Sequence, residues 1–313
     1  MAYLPVRFGI ALGDNKVLNS DVCKNYANAP PPALLKKIGI NSRYLASPDQ
    51  DALGLSKSAV ADLLKKETLD CDLLIGVTQT QQIQFPHMSA MLQAEFFPNS
   101  FAPSFDINLG CSGFVYALLM VNSLTTTLAR KNPIVVCADT YNKFIASQEH
   151  SAALIFSDAA VAVAFEFSQD SAILGFDIGG DGRGSDKLCI GTTQNPQTKE
   201  LLMDGASVMM FTMNTVPGSV NRTLDMAGID LDDVDLFLFH QASAVVLGEI
   251  RRKLAIPSEK MPSNLAHMGN TVSCSLPLLI SELYRENKIQ KGMTLLLSGF
   301  GVGLSWATCL IRV

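Results

Sequence analysis

Apolar runs of strand length alternate along this chain with longer segments whose apolar residues recur at helical spacing. Nearly continuous apolar runs at residues 73–77, 133–138 and 234–239 are typical of strands that are buried on both faces of a sheet. Three more strands are predicted at 173–178, 294–298 and 304–311, and two apolar runs lie within 151–167. Helices are predicted at about 86–97, from Cys111 onward, and at 205–227, 242–254 and 275–287.

This alternation predicts an α/β protein in which helices cover the sheets. The order of elements also looks duplicated. The strand at 73–77 ends at Thr78 and Gln79, whereas the similar strand at 234–239 ends directly at His240. Because a polar break lies near 167–170, we predict an N-terminal half at residues 1–168 and a C-terminal half at 169–313.

Composition and charge argue against several classes of protein. The net charge of −5 offers no positive field that would gather nucleic acid or an anionic membrane surface. The first residues lack the pattern of a signal peptide, and no apolar run reaches the roughly 18 residues of a membrane span. Seven scattered cysteines without a CxxC pair favour neither a zinc site nor a disulfide framework, so we expect a reduced, cytoplasmic protein without a metal.

Cys111 is the strongest candidate for a catalytic residue. It lies in the segment 108–114, Asn-Leu-Gly-Cys-Ser-Gly-Phe, directly before a long apolar stretch, so we expect it at the first turn of a buried helix. Unpaired N–H groups and the positive end of the helix dipole would favour a thiolate there. A lone cysteine is more often a small core residue, and it is this position that indicates a nucleophile.

His240 and Asn270 are candidate partners for this nucleophile. His240 ends an apolar strand, where α/β folds form their sites, and Asn270 lies in a turn-like segment before an apolar helix. For each residue alone a structural role is favoured, as a backbone-bonding histidine and as a turn or N-cap residue. Together with Cys111 they suit acyl transfer followed by stabilisation of charge on a carbonyl, although papain-like proteases use the same three residue types.

Four segments in order resemble β-ketoacyl-acyl carrier protein synthase III, a member of the thiolase superfamily. They are 108–114, His240-Gln241-Ala242, Gly269-Asn270-Thr271 and 299–306, Gly-Phe-Gly-Val-Gly-Leu-Ser-Trp. Since 37–43 also resembles an early segment of the family, the resemblance covers essentially the whole chain. It implies a thiolase-like duplicated αβαβα five-layer fold, a homodimer, an acyl carrier protein as partner, acyl and malonyl thioesters as substrates, and no cofactor.

The resemblance also implies roles for individual residues. Cys111 would accept the acyl group, while His240 and Asn270 would hydrogen-bond the malonyl thioester oxygen during decarboxylation. Backbone N–H groups of Cys111 and Val302 would form the oxyanion hole, where losing one donor typically costs roughly 2.7–4 kcal/mol of barrier. The loop that contains Phe85 resembles the one that shapes the acyl pocket, and its many glutamines suggest a somewhat polar acyl chain.

The chain departs from the family where coenzyme A is bound. Ala33 stands at a tryptophan-like position, and Lys37, the neighbourhood of His150 and Ser151, and Val245 stand where arginines are usual. Ser243 replaces an asparagine. Since these residues cannot reproduce aromatic stacking and planar arginine contacts, we expect a donor bound to a carrier protein. Arg251, Arg252 and Lys253 would dock it, although a solvated helix end explains them equally well.

Three interpretations of function remain open from the sequence. The first is a condensing enzyme, in which a malonyl-type extender decarboxylates and attacks the acyl group on Cys111. The second is an acyltransferase that moves this group to a hydroxyl or amine without decarboxylation, with His240 as general base. The third is a non-catalytic partner subunit or binding module, which the presence of Cys111, His240 and Asn270 argues against.

Overall fold

A computed structural model of the chain describes residues 1–24, 32–66, 68–146, 150–191, 197 and 199–313. The strands are β1 Ala2–Leu12, β2 Asn15–Leu18, β3 Ser42–Leu45, β4 Leu73–Val77, β5 Ser104–Ile107, β6 Pro133–Asp139, β7 Ala159–Ser168, β8 Ala172–Gly180, β9 Leu188–Ile190, β10 Leu201–Met203, β11 Leu236–Phe239, β12 Thr294–Gly301 and β13 Ser305–Arg312. The helices are α1 Asn19–Lys24, α2 Pro32–Ile38, α3 Ala52–Lys66, α4 Met88–Phe96, α5 Gly113–Leu128, α6 His150–Ala153, α7 Gly205–Ala227, α8 Ala244–Leu254, α9 Leu265–Met268 and α10 Ser275–Arg285.

Two large sheets share one pattern of strand pairing. The first has the order β1-β7-β6-β4-β5 and the second the order β11-β12-β13-β8. In the first sheet β4 is parallel to β6, β6 is antiparallel to β7, and β7 is antiparallel to β1. In the second sheet β11, β12, β13 and β8 repeat these relations in the same order. The strands of the first sheet come from residues 2–168 and those of the second from 172–312, while the division into two halves remains a prediction.

Helices form three layers around and between the sheets. Apolar side chains of α5 and α10 share one core with the inner faces of both sheets, so these two helices form the middle layer. The outer face of the first sheet packs against α3 and α4, and the outer face of the second packs against α7 and α8. The order helix, sheet, helix, sheet, helix confirms the predicted αβαβα fold. Among the described residues no helix has the length and apolar character needed to cross a bilayer.

The repeat is incomplete in one place that matters for the site. In the first half, β5 leads through Asn108–Cys111 into α5, which begins at Gly113. In the second half the described residues contain no strand that corresponds to β5, and the segment before α10 instead carries Asn270. This segment makes a single bridge to the other half, between Asn270 and Phe156. Residues of both halves therefore meet where the two middle helices begin.

Candidate active site

Cys111 lies in a tight turn between β5 and α5. The N–H of Gly113 donates to the carbonyl of Gly110 at 2.8 Å, and the helix begins at Gly113, two residues after the cysteine. Only 5% of Cys111 is exposed. A Cβ at Gly110 would approach Gln79 Oε1 to 2.5 Å and the Tyr141 hydroxyl to 3.3 Å, so a larger residue here would displace these side chains. The thiol is thus held at a fixed point in front of the helix.

The expectation that Cys111 rests as a thiolate is wrong for this structure. Burial raises the pKa of the Cys111 thiol well above its ordinary value, and the nearby Asp139 carboxylate raises it further. The residue's own backbone N–H acts in the opposite direction but is the smaller effect. Because desolvation destabilises the thiolate more than this one N–H group stabilises it, the resting form is the neutral thiol.

His240 follows β11 directly, as predicted. Its N–H donates to the carbonyl of Ser298 on β12 at 2.8 Å, and its Nδ1 lies 2.7 Å from Ser275 Oγ at the start of α10. The ring stands edge-on to Phe300 with centroids 5.6 Å apart. Burial lowers the pKa of His240 to about 3, so the imidazole is neutral at physiological pH. With Nδ1 occupied by Ser275, Nε2 is the nitrogen left for a substrate.

Asn270 is held by hydrogen bonds along its backbone and side chain. Its N–H donates to the carbonyl of Ile155 at 3.0 Å, and its own carbonyl accepts from the N–H of Ser157 at 2.8 Å. The side-chain Oδ1 accepts from the N–H of Val272 at 2.9 Å, which fixes the orientation of the amide. Its Nδ2 has only a long contact of 3.5 Å with the carbonyl of Ala242. Asn270 therefore shapes the turn and also keeps its Nδ2 available as a hydrogen-bond donor.

Arg43, which the sequence analysis used only as part of a family-like segment, supports Asn270 from behind. Its side chain is almost fully buried and donates from Nη1 to the carbonyl of Phe156 at 2.9 Å and from Nε to Asn19 Oδ1 at 2.8 Å. A Cβ at Gly269 would lie 3.0 Å from Arg43 Cγ, so the guanidinium stem packs directly against the Asn270 segment. Arg43 is a positioning residue for this segment.

The side chains of Cys111, His240 and Asn270 line one cavity. Its volume is about 620 Å³. Most of its lining is apolar and includes Met203 at the end of β10, Val208 and Met209 of α7, and Val246 of α8. The structure thus brings together the three residues that are separated by up to 159 positions in the sequence (111 to 270). A narrow apolar entrance with polar groups inside suits a flexible thioester arm.

The end of β12 packs against the backbone of Cys111 and contributes Val302. A Cβ at Gly299 would lie 2.5 Å from the carbonyl oxygen of Cys111, and one at Gly301 would lie 3.1 Å from both Cβ and Sγ of Cys111. Within the described part of the chain, the N–H groups of Cys111 and Val302 donate to no backbone or side-chain oxygen outside their own residues. Two free main-chain donors thus flank the thiol, the arrangement that the predicted oxyanion hole requires.

A second cavity of about 630 Å³ lies beside the first. Leu188 lines both cavities. Cys111, Tyr141, Leu188 and Val272 form one buried cluster, against which Val302 packs. The second cavity is more polar than the first, because Gln79, Asn108, Tyr141 and Ser185 contribute to its wall.

Phe85 does not line either cavity in the single chain. It is 81% exposed, on the loop that follows β4. Its predicted place in the acyl pocket therefore has no support within one chain, because the ring points into solvent rather than toward Cys111.

The three predicted docking cations lie on the last turn of α8 and are exposed. Two of them are engaged within the chain: Arg252 pairs with Glu249 at 2.7 Å, and Lys253 Nζ donates to the carbonyl of Met213 at 2.9 Å. Among the described residues Arg251 has no acidic partner. The docking role stays a prediction, and Arg251 is the residue best placed for it.

The departures in the coenzyme A region can be located in part. Lys37 and Val245 are exposed. The Ser243 hydroxyl accepts from the N–H of Val246 at 3.4 Å and so caps α8, while the residue also lines the cavity that contains Cys111. The side chains of Ala33, His150 and Ser151 lie outside the described residues.

Asp139 and Tyr141, which flank the end of β6, are site residues that the sequence analysis missed. Asp139 is fully buried and accepts from the N–H of Gln79 at 2.9 Å and from Ser273, and burial raises its pKa to about 7. The sequence could have indicated Asp139, because it directly follows the apolar run 133–138 and so lies at the same edge of the sheet as Gln79. In the described ranges no group of three histidine, cysteine or acidic side chains is arranged to hold a metal ion.

Comparisons with known proteins agree with this geometry. Residues 105–182 match the family model described as 3-oxoacyl-[acyl-carrier-protein (ACP)] synthase III, and residues 224–313 match the model for its C-terminal part. The chain is 31% identical over 306 residues to beta-ketoacyl-[acyl-carrier-protein] synthase III from Staphylococcus haemolyticus, covering 96% of each protein. It is 34% identical to the protein of this name from Porphyra purpurea, covering 88% of this chain and 89% of that one.

A solved structure is similar over the full length. The crystal structure of a 3-oxoacyl-(acyl-carrier-protein) synthase III superposes with a TM-score of 0.93 at 31% identity and covers 100% of both chains. The similarity therefore includes the whole layered fold and both of the segments that carry the candidate site.

Alkylation of Cys111 by iodoacetamide is expected to keep accelerating as the pH rises past the range of an ordinary thiol. The thiolate is the reactive form, and a raised pKa leaves the thiol dominant at neutral pH, with about tenfold more thiolate for each pH unit gained. Peptide mass spectrometry from about pH 6 to about pH 10, with glutathione as reference thiol (pKa about 8.5–9), measures this rate. A rate that levels off below neutral pH would show a stabilised thiolate instead.

Proposed function

This chain belongs to the 3-oxoacyl-[acyl-carrier-protein] synthase III family, and from that premise we propose that it catalyses acyl transfer to Cys111 followed by decarboxylative condensation. It is a β-ketoacyl synthase III-type condensing enzyme. We assign the catalytic roles to Cys111, His240 and Asn270 because these three residues line one cavity. The chemistry below follows from the protonation and hydrogen bonding of these groups.

In the first step Cys111 takes the acyl group. Its sulfur attacks the carbonyl of an acyl thioester, the carbon–sulfur bond to the donor breaks, and the donor leaves as a thiol with the proton that Cys111 gives up. The tetrahedral oxygen lies against the N–H groups of Cys111 and Val302. Because these donors are main-chain groups held by the α5 turn and the end of β12, they need no rearrangement when the charge forms.

In the second step a malonyl thioester enters the emptied cavity. Its thioester oxygen accepts from His240 Nε2 and Asn270 Nδ2, which stabilise the enolate left when carbon dioxide departs. A histidine that is neutral because of burial serves as such a donor when Ser275 donates to its Nδ1, since Nε2 then carries the hydrogen. The enolate carbon attacks the acyl carbonyl, and Cys111 leaves and regains a proton as the β-ketoacyl thioester forms.

Simple acyl transfer to a hydroxyl or amine is the weaker alternative. The related proteins are synthases by name, and the free Nδ2 of Asn270 beside His240 suits an enolate better than general-base activation of an alcohol. Release of carbon dioxide from the malonyl thioester separates the two reactions, since only condensation requires it.

The Cys111→Ala variant is expected to lose acylation and product formation, because no other group in the cavity is a nucleophile placed beside both main-chain donors. Intact mass after exposure to an acyl thioester measures acylation, and trapped carbon dioxide from a malonyl thioester measures the second step. Asn270→Ala should keep acylation and slow condensation by about 10²–10³-fold, the typical cost of one lost charge-stabilising donor. Product formed by Cys111→Ala at the wild-type rate would refute the mechanism.

We propose that the acyl donor is bound to a carrier protein, with Arg251 at the docking surface. Support comes from α8, whose first turn lines the cavity at Val246 and whose last turn carries Arg251, and from the sequence departures at the positions where the family binds coenzyme A. An exposed cation near the entrance would attract an acidic partner.

Carrier-bound donors are therefore expected to acylate Cys111 faster than the matched coenzyme A thioesters. Arg251→Glu should slow the carrier-bound reaction by roughly tenfold at low salt, because a rim charge acts on association. Arg285→Glu, at the far end of α10, is the control that should leave it unchanged. Equal rates with both donors, measured by intact mass, would argue against a carrier preference.

We propose a homodimer and a cytoplasmic location as well. The first sheet ends in β5, whose outer edge is unpaired in one chain, and the exposed rings of Phe85 and Phe101 offer apolar area for a second copy. Sedimentation should therefore give a mass of two chains, and Phe101→Asp should shift it toward one. All seven cysteines are free, which suits a reducing compartment.

A further inference from the structure

We infer that this enzyme selects acyl groups that carry an oxygen close to the thioester, such as 3-oxoacyl or 3-hydroxyacyl groups, and that Gln79 recognises this oxygen. The inference rests on the proposed function and names the substrate class of the same site. It follows from the wall of the second cavity and from the hydrogen bonds that orient Gln79.

The second cavity adjoins the cavity that contains Cys111, and in this inference it holds the acyl group. Val302, whose N–H faces the thioester oxygen in the proposed mechanism, lines this cavity, and Leu188 lines both it and the cavity that contains the thiol. Tyr141 packs with Cys111 in one buried cluster. Once the carbonyl oxygen lies at the two main-chain donors, the first carbons of the acyl chain therefore lie next to Gln79 and Tyr141.

Gln79 has one end of its amide fixed and the other open. Tyr141 donates from its hydroxyl to Gln79 Oε1 at 2.8 Å, and the N–H of Gln79 donates to Asp139 Oδ1 at 2.9 Å. Burial raises the pKa of Tyr141 well above its ordinary value, so its hydroxyl keeps the proton that it donates. Within the described part of the chain no oxygen accepts from Gln79 Nε2. Because Oε1 is held against Tyr141, Nε2 is left as a donor on the cavity wall.

A donor in this position discriminates between acyl groups by what they leave unsatisfied. A saturated chain would displace water from Nε2 without supplying a hydrogen-bond acceptor. Leaving this N–H group unsatisfied in a confined site costs binding free energy. An oxygen on the third carbon can accept from Nε2 instead. Both a ketone and a hydroxyl oxygen can accept in this way, which is why the inference covers 3-oxoacyl and 3-hydroxyacyl groups.

The test compares acylation of Cys111 by 3-oxobutyryl, 3-hydroxybutyryl and butyryl groups, each on the same acyl carrier protein. Rates come from intact mass of the full-length protein. Wild type is expected to react about tenfold faster or more with the two oxygenated groups than with butyryl, and this ratio should fall toward one in Gln79→Met. Tyr141→Phe should lower the ratio as well, because the amide is then free to turn.

Gln82→Met is the matched control, since Gln82 is exposed on the same loop and lines neither cavity. It should keep the wild-type ratio. Wild type that reacts equally with all three groups would overturn the inference and leave the proposed function standing. A ratio that persists in Gln79→Met would overturn the role of Gln79. No acylation by any of the three donors would overturn both the inference and the proposed function.

Discussion

The contact between the end of β12 and the backbone of Cys111 is the constraint on which the site depends. The two segments approach so closely that Gly299 has no room for a side chain, and a side chain at Gly301 would crowd Cys111. The same strand accepts the N–H of His240 at Ser298, and its continuation supplies Val302. One strand of the second sheet therefore sets the distances among the nucleophile, the histidine and one oxyanion donor. The middle helices α5 and α10, buried between the sheets, keep this strand and the cysteine turn from moving apart.

Much of the fold was predictable because buried strands and long helices leave strong local patterns. The helix at 205–227 has the predicted bounds, and the strand at 133–138 differs by one residue. The sequence analysis missed β1, where Pro5 and Arg7 interrupt the apolar pattern at a bulge. It also missed α3, although Leu55, Ala59 and Leu63 recur at helical spacing. The protonation of Cys111 was predicted wrongly because residues distant in sequence, such as Tyr141, Leu188 and Val272, bury the thiol, and no local pattern reports such contacts. The pairing of Tyr141 with Gln79 is hidden for the same reason.

The candidate cysteine and histidine carry no charge in the resting site. A neutral thiol and a neutral imidazole face the cavity, and the nearest buried carboxyl group, Asp139, has a pKa of about 7. Negative charge that develops on substrate oxygens during the reaction therefore meets donors that are already in place. This arrangement explains why Arg43 and Ser275 matter without touching a substrate: they hold the Asn270 segment and the His240 ring in the positions that the developing charge requires.

The missing counterpart of β5 has a consequence for how such a molecule can be divided. In the second half the segment that takes its place crosses to the first half at Phe156 and delivers Asn270 there. Residues 1–168 hold the cysteine but neither the histidine, the asparagine nor Val302, and residues 169–313 hold those but no nucleophile. Neither range alone therefore contains the full set of candidate catalytic residues. A polypeptide cleaved near residue 168 would recover this set only if the two fragments remained associated.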